Sequence, residues 1–171
     1  IDPYGDQESV VCSDSLGPYL WVVKTDSLGD TLWTRWDLLG VGHFVQQTSD
    51  GGYIITGESN GDLLLAKTDS LGDTTWTRTY GAEGLDCGYC VHETADGGYI
   101  VSGHLAFLPS LWLLKTDEAG DTLWTRSSLD LWGWGKGYCV QQTSDGGYIV
   151  TGYMAATEDE KYHLILSKTD S

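Results

Sequence analysis

Apolar and polar positions alternate with a period of two over short runs, and no stretch keeps a helical period. Leu20 to Asp26, Thr31 to Trp36, His43 to Thr48, Tyr53 to Glu58, Leu63 to Asp69 and Thr74 to Tyr80 are dense in β-branched and aromatic residues. Asp, Gly, Ser and Asn separate them, so the runs read as strands and the separators as tight turns. Residues 8 to 14 read as a weaker strand ahead of these. The same order returns from Tyr89 to Arg126 and from Tyr138 to Asp170.

Two phrases keep time with this pattern. Asp50-Gly51-Gly52-Tyr53-Ile54-Ile55-Thr56-Gly57 returns from Asp96 and from Asp145, at intervals of about 46 and 49 residues, inside the period range of propellers and solenoids. Lys24-Thr25-Asp26-Ser27-Leu28-Gly29-Asp30-Thr31-Leu32-Trp33-Thr34-Arg35 returns from Lys67 and Lys115, and its first four residues close the chain from Lys168. Asp-Gly suits a type I′ hairpin turn, which demands antiparallel neighbours and disfavours a coil of parallel strands. Each repeat then holds four short strands. Three junctions are tight, and the fourth is longer and irregular: Asp37 to Gly42, Gly81 to Gly88, Ser127 to Gly137.

The pattern Thr-x-Asp-Gly-Gly-Tyr-Ile-x-x-Gly followed by Lys-Thr-Asp-x-x-Gly-Asp-Thr-x-Trp resembles the blade repeat of secreted and cell-surface bacterial and archaeal β-propeller proteins. It is also similar to the looser blade of quinoprotein-like propellers. The resemblance implies an all-β, propeller-type array of four-stranded antiparallel blades, about 3.5 of them, with the ring incomplete within this chain. The single repeat region would span 1–171, with blades near 1–36, 43–80, 87–128 and 137–171. Fourteen strands are expected, three in the first repeat, four in each of the next two and three in the last. These residues read as an excerpt of a longer propeller, or as a unit completed by another copy of itself. The enzymatic branch of the quinoprotein-like propellers does not carry over, because no quinone-site residues stand beside the scaffold.

Composition narrows the partners. Twenty-five acidic against nine basic side chains leave a formal net charge of −16, which disfavours a nucleic-acid backbone or an anionic membrane surface. No apolar run approaches the roughly 20 residues that span a bilayer. Seven of the nine basic residues are the repeated Lys and Arg, which places most positive charge in the scaffold.

The periodic residues read as structure first. Trp33, Trp76 and Trp124, with Arg35, Arg78 and Arg126, recur once per repeat and suit an outer strand docked between blades. Asp26 and its counterparts suit turns, since two carboxylates fall short of the six to eight oxygens of a calcium cage. Cys87-Gly88-Tyr89-Cys90 has the spacing of half a zinc site but no matching second pair, so no metal is expected there. Cys90 and Cys139 share a place that Phe44 also fills, which reads as packing. His43 and His92 read as scaffold substitutions; His104 and His163 flank irregular loops without a partner for a catalytic triad.

Strand direction sorts the turns onto two faces, one monotonous and one variable. The variable face holds Trp36 to Gly42, Tyr80 to Gly88, Leu105 to Ser110, Ser127 to Lys136 and Tyr153 to Tyr162. Binding residues favour loops on a rigid scaffold. The candidate ligand-binding residues are therefore Trp36, Asp37, Tyr80, Glu83, Asp86, His104, Phe107, Trp132, Trp134, Tyr153 and Tyr162. The expected function is a non-catalytic extracellular or cell-surface binding and assembly module, for a glycan, peptide or protein partner or further copies of itself. No cofactor, nucleic acid or membrane insertion is expected. The alternatives are a self-assembling filament or surface-layer repeat, and a hydrolase-type or quinoprotein-type enzyme with a site near the propeller axis.

Overall fold

In the computed structural model the described residues are 18–81, 84–106, 110–127, 133–156 and 162–169, with the side chains of 133, 134, 154–156 and 162–169 outside that description. They form strands only: β1 (Tyr19–Thr25), β2 (Thr31–Leu39), β3 (Val41–Gln47), β4 (Tyr53–Ser59), β5 (Asp62–Thr68), β6 (Thr74–Tyr80), β7 (Cys87–Glu93), β8 (Tyr99–Leu105), β9 (Ser110–Thr116), β10 (Thr122–Ser127), β11 (Gly133–Gln142), β12 (Tyr148–Ala156) and β13 (Tyr162–Thr169). The strand expected over residues 8 to 14 lies outside the described residues. Every pairing is antiparallel and joins sequence neighbours, giving sheets β1-β2, β3-β4-β5-β6, β7-β8-β9-β10 and β11-β12-β13. The chain is all-β.

Each sheet buries its apolar face against the next. Leu20 meets Ile55, Leu64 and Ala66; Ile54, Leu63 and Leu65 meet Val91, Val101, Trp112 and Leu114; Ile100, Leu111 and Leu113 meet Val140, Tyr148 and Val150. The outer-strand tryptophans complete these joints. Trp33 packs edge-on against Tyr53 at 5.8 Å and Trp124 against Tyr148 at 5.6 Å, while Trp76 lies tilted against Tyr99 at 5.8 Å. Arg35, Arg78 and Arg126 each lie over the Trp two residues before them, at 5.5 to 5.9 Å. Arg35 also pairs with Asp73 of the following sheet at 2.9 Å. The scaffold reading of the Trp-Arg repeat therefore holds.

The turns correct one expectation. Asp50 is not in the left-handed region a type I′ turn requires at its first central residue; only Gly51 is, at φ +86°. The Gly51 amide bonds the Thr48 carbonyl at 2.9 Å and the Thr48 amide bonds the Gly52 carbonyl at 2.9 Å, a type I turn closed by a left-handed glycine. The reason is the work of the Asp50 side chain, which accepts from the Thr48 hydroxyl (2.6 Å), the Gly52 amide (2.9 Å) and Lys67 Nζ (2.7 Å). Asp96 repeats this with Thr94, Gly98 and Lys115. The true type I′ turn is Asn60-Gly61, with φ of +53° and +91°. Asp26, Asp69 and Asp117 accept two backbone amides each, as turn residues do.

Two expected loops are strand. β2 runs to Leu39 and β3 starts at Val41, so Gly40 alone replaces the junction placed at Asp37 to Gly42. The cause is Leu38, which pairs with Leu20 and packs on its cluster. β11 begins at Gly133, because Gly133 to Lys136 pair with Ala156 to Tyr153 across the hairpin.

The buried lysines make the Asp-Gly-Gly turns pH-sensitive. Burial alone would raise the Asp96 carboxyl, but bonds from Thr94, Lys115 and the Gly98 amide outweigh it and bring it down to about 2. A carboxyl depressed in the folded state adds stability that is complete above its ordinary value of 3.8 and is lost as pH falls towards 2. Asp96→Ala leaves the Lys115 ammonium buried beside only the Thr116 carbonyl. The expected loss is about 1–3 kcal/mol at neutral pH, with a flatter acid limb between pH 4 and 2, both readable by urea unfolding across that range.

A second test addresses the joints. Gly72 sits at φ +81°, and a Cβ there would lie 2.7 Å from the Trp33 ring. Gly72→Ala is expected to cost more than about 1 kcal/mol, seen as a lower urea midpoint at unchanged m-value.

Candidate functional site

The strands β3, β7 and β11 share one glycine, Gly42, Gly88 and Gly137, and differ in chemistry on either side of it. β3 pairs with β4, β7 with β8 and β11 with β12 in one register, broken in each by one extra residue: His43, Tyr89 and Tyr138. Such bulges leave a residue unpaired and re-aim it. Opposite each stands the glycine that closes the Asp-Gly-Gly phrase. A Cβ on Gly103 would lie 1.9 Å from the Cys87 carbonyl oxygen, so nothing larger fits there. Three register positions recur around each bulge. They hold Val41, His43 and Glu58 in one sheet, Cys87, Tyr89 and His104 in the next, and Lys136, Tyr138 and Tyr153 in the last. The backbone is the same and the side chains are not.

These positions converge on Tyr89. Its ring stacks on His43 at 5.6 Å and on His104 at 5.7 Å, the latter within 10° of parallel, and meets Tyr138 at 5.6 Å. Tyr138 in turn meets Tyr153 at 5.8 Å. Lys136 Nζ donates to the Tyr89 hydroxyl at 3.1 Å and lies 5.6 Å from its ring centroid. The Tyr89 oxygen is 3.3 Å from His104 Nδ1. With the lysine donating, the phenol proton is free to point at the imidazole, a directed chain from Lys136 through Tyr89 to His104.

Charge states follow from burial. Burial pushes the Tyr89 phenol up against the opposing bond from Lys136. The bond to Tyr89 lifts Lys136 despite burial. Burial lowers His104, and the Lys136 charge lowers it further, while Asp86 and Glu58 oppose. At neutral pH the group is thus an ammonium, a phenol and a neutral imidazole. Tyr138 is half exposed, at 51%, and gives the cluster an open side.

Cys87 lies beside this cluster, its Sγ 3.3 Å from His43 Nδ1 and 3.8 Å from Glu58. Burial, then the Glu58 carboxylate, push its thiol up to about 11. His43 Nδ1 is also 3.0 Å from the Gly88 carbonyl, and only a protonated nitrogen bonds a carbonyl. A nitrogen so occupied cannot take the thiol proton. The pair is not an activated nucleophile.

Of the residues expected at the site, three belong here. His104 and Tyr153 are in the stack, and the fully buried Asp86 accepts the Ala106 amide at 2.8 Å and acts on the His104 charge. Tyr80 is instead in a sheet joint, its hydroxyl donating to the Gly120 carbonyl. Trp36 and Asp37 are exposed near the end of β2. Trp134 and Tyr162 lie on β11 and β13, with side chains outside the description, and Glu83, Phe107 and Trp132 fall outside the described residues. Sequence reasoning missed His43, Glu58, Cys87, Tyr89, Lys136 and Tyr138. The available signal was a polar or aromatic residue after each Gly42, Gly88 and Gly137, beside the glycine that closes the repeated phrase of the same repeat.

A concavity of about 400 Å³ opens between β1 and β3 and is lined by Trp21, Val23, His43, Phe44 and Val45 among others. Its lining side chains are apolar apart from His43, so it holds no convergent polar set comparable to the Tyr89 cluster. Among known proteins, no family model and no curated sequence matches this chain.

The Lys136 contribution to His104 can be measured. Removing a nearby positive charge favours the protonated imidazole, so Lys136→Met is expected to raise the His104 pKa part of the way to its ordinary value. Histidine ring resonances followed by NMR titration read this directly, and an unmoved His104 contradicts the assignment.

Proposed function

We propose that this chain is a non-catalytic binding and assembly module of the extracellular or cell-surface type, built as β-propeller blades, with its ligand site at the Tyr89 cluster. The carrying observation is the set of three register positions that keep one backbone and change chemistry from sheet to sheet. A scaffold residue is repeated because packing demands it; positions held open by a bulge and varied in chemistry suit recognition. The propeller reading rests on the sheet-on-sheet order, in which inner strands β3, β7 and β11 follow one another and outer-strand tryptophans dock on the next sheet.

The chemistry favours a glycan. Phenol and imidazole faces at Tyr89, Tyr138, Tyr153, His43 and His104 offer flat apolar surfaces with polar tips. Lys136 supplies one cation on an otherwise acidic protein, suited to a sugar hydroxyl or a uronate. The raised Cys87 thiol and the occupied His43 nitrogen support binding over the nucleophilic enzyme alternative.

A glycan and peptide array with the whole chain tests this. Saccharide binding that falls at least about tenfold in Tyr138→Ala, equivalent to about 1.4 kcal/mol, is the expected result. Binding unaffected there but lost in Glu93→Ala, on the Asp-Gly-Gly face where Glu93 joins Ser49, would place the site on the opposite side.

A further inference from the structure

We propose that Cys90, His92 and Cys139 form a binding site for a thiophilic d10 cation, Zn2+ being the ion that fits, with water as its fourth ligand. The site is separate from the Tyr89 cluster in its ligands and does not depend on the binding reading above.

The geometry carries it. One ligand atom from each residue lies within 4.8 Å of the other two. The two sulfurs are 3.5 Å apart, Cys90 on β7 and Cys139 on β11. A tetrahedral zinc with Zn–S about 2.3 Å and Zn–N about 2.0 Å holds its ligand atoms about 3.5 to 3.8 Å from one another. The two sulfurs are at that spacing already, and a histidine nitrogen lies within 4.8 Å of both. His92 stands two residues from Cys90 on one strand face, its ring held by Phe44 at 5.4 Å. Burial lowers its pKa and keeps the imidazole neutral, the form that ligates.

Cys139 is exposed and provides the way in, while Cys90 is buried against Val140. Two thiolates and one imidazole select zinc over calcium or magnesium, which prefer oxygen. Binding displaces two thiol protons to solvent. Burial pushes the Cys90 thiol up to about 12, so a cation with strong thiolate affinity is needed to displace its proton.

The site arises once among the described residues. The place of Cys90 and Cys139 is Phe44 in the preceding inner strand, and the place of His92 is Gln46 and Gln141 in the others. Cys87 takes no part, because its sulfur contacts His43 and Glu58 instead. The Cys-x-x-Cys spacing is therefore not the ligand pattern.

The whole chain, kept reduced with a phosphine, is titrated with Co2+ as a spectroscopic stand-in. A sulfur-to-cobalt charge-transfer band with tetrahedral d–d bands, saturating at one ion and bleached by Zn2+, is expected. Cys139→Ser and His92→Gln should each weaken Co2+ binding by more than about 100-fold, beyond what loss of an outer-shell partner costs. Both preserve the fold on structural grounds, one residue being exposed and the other taking the glutamine of its neighbours; circular dichroism checks this. Cys87→Ser should leave the titration unchanged. Absence of the band, its survival in Cys139→Ser, or its loss in Cys87→Ser overturns the proposal. So does a Cys90–Cys139 disulfide in air from a protein that, when reduced, takes up no Co2+.

Discussion

The structure depends on one joint, made three times: a tryptophan from the outer strand of one sheet laid against a tyrosine of the next. A sheet of short strands cannot cover both its faces, so each must borrow a surface from its neighbour. Where Trp33 and Trp76 land, the next sheet's turn carries Gly72 and Gly120, whose missing side chains leave room for the ring. The tyrosine at each joint is the one that follows Asp-Gly-Gly. The two repeated phrases are thus the two halves of one contact, which explains why they recur in step.

A second constraint sits inside each sheet. The Asp-Gly-Gly turn is held by a carboxylate that gathers a threonine hydroxyl and a backbone amide, and Asp50 and Asp96 each also hold a buried lysine. Seven residues after the Asp, the closing glycine lets the facing strand bulge. The rigid turn and the bulge together aim His43, Tyr89 and Tyr138 to one side, where they meet residues from the ends of the neighbouring strands. The scaffold supplies position, and the chemistry is free to vary there.

Burial then sets what that chemistry is. The phenol of Tyr89 and the thiol of Cys87 are held protonated, and His104 is held neutral. Lys136 keeps its charge because the tyrosine oxygen receives it. Groups so poised donate and accept hydrogen bonds and stack; they do not attack. This is the physical basis for reading the cluster as recognition.

The sequence by itself determined most of the described strands, their order and the scaffold role of the periodic Trp, Arg and Lys residues, because alternation, turn residues and a repeat of nearly fifty residues are local signals. Trp33, Lys67 and Asp96 were legible as scaffold since packing makes them recur. Where local signals misled, the deciding contact was distant. Asp50 belongs to a different turn because Lys67 claims its carboxylate, Leu38 extends β2 because it packs beside Leu20, and Gly133 to Lys136 are strand because Ala156 to Tyr153 pair with them. The cluster around Tyr89 joins residues from three sheets, and Cys90 meets Cys139 forty-nine positions away. Sequence spacing carries no record of that, because only the stacking of one sheet on the next brings inner strands side by side.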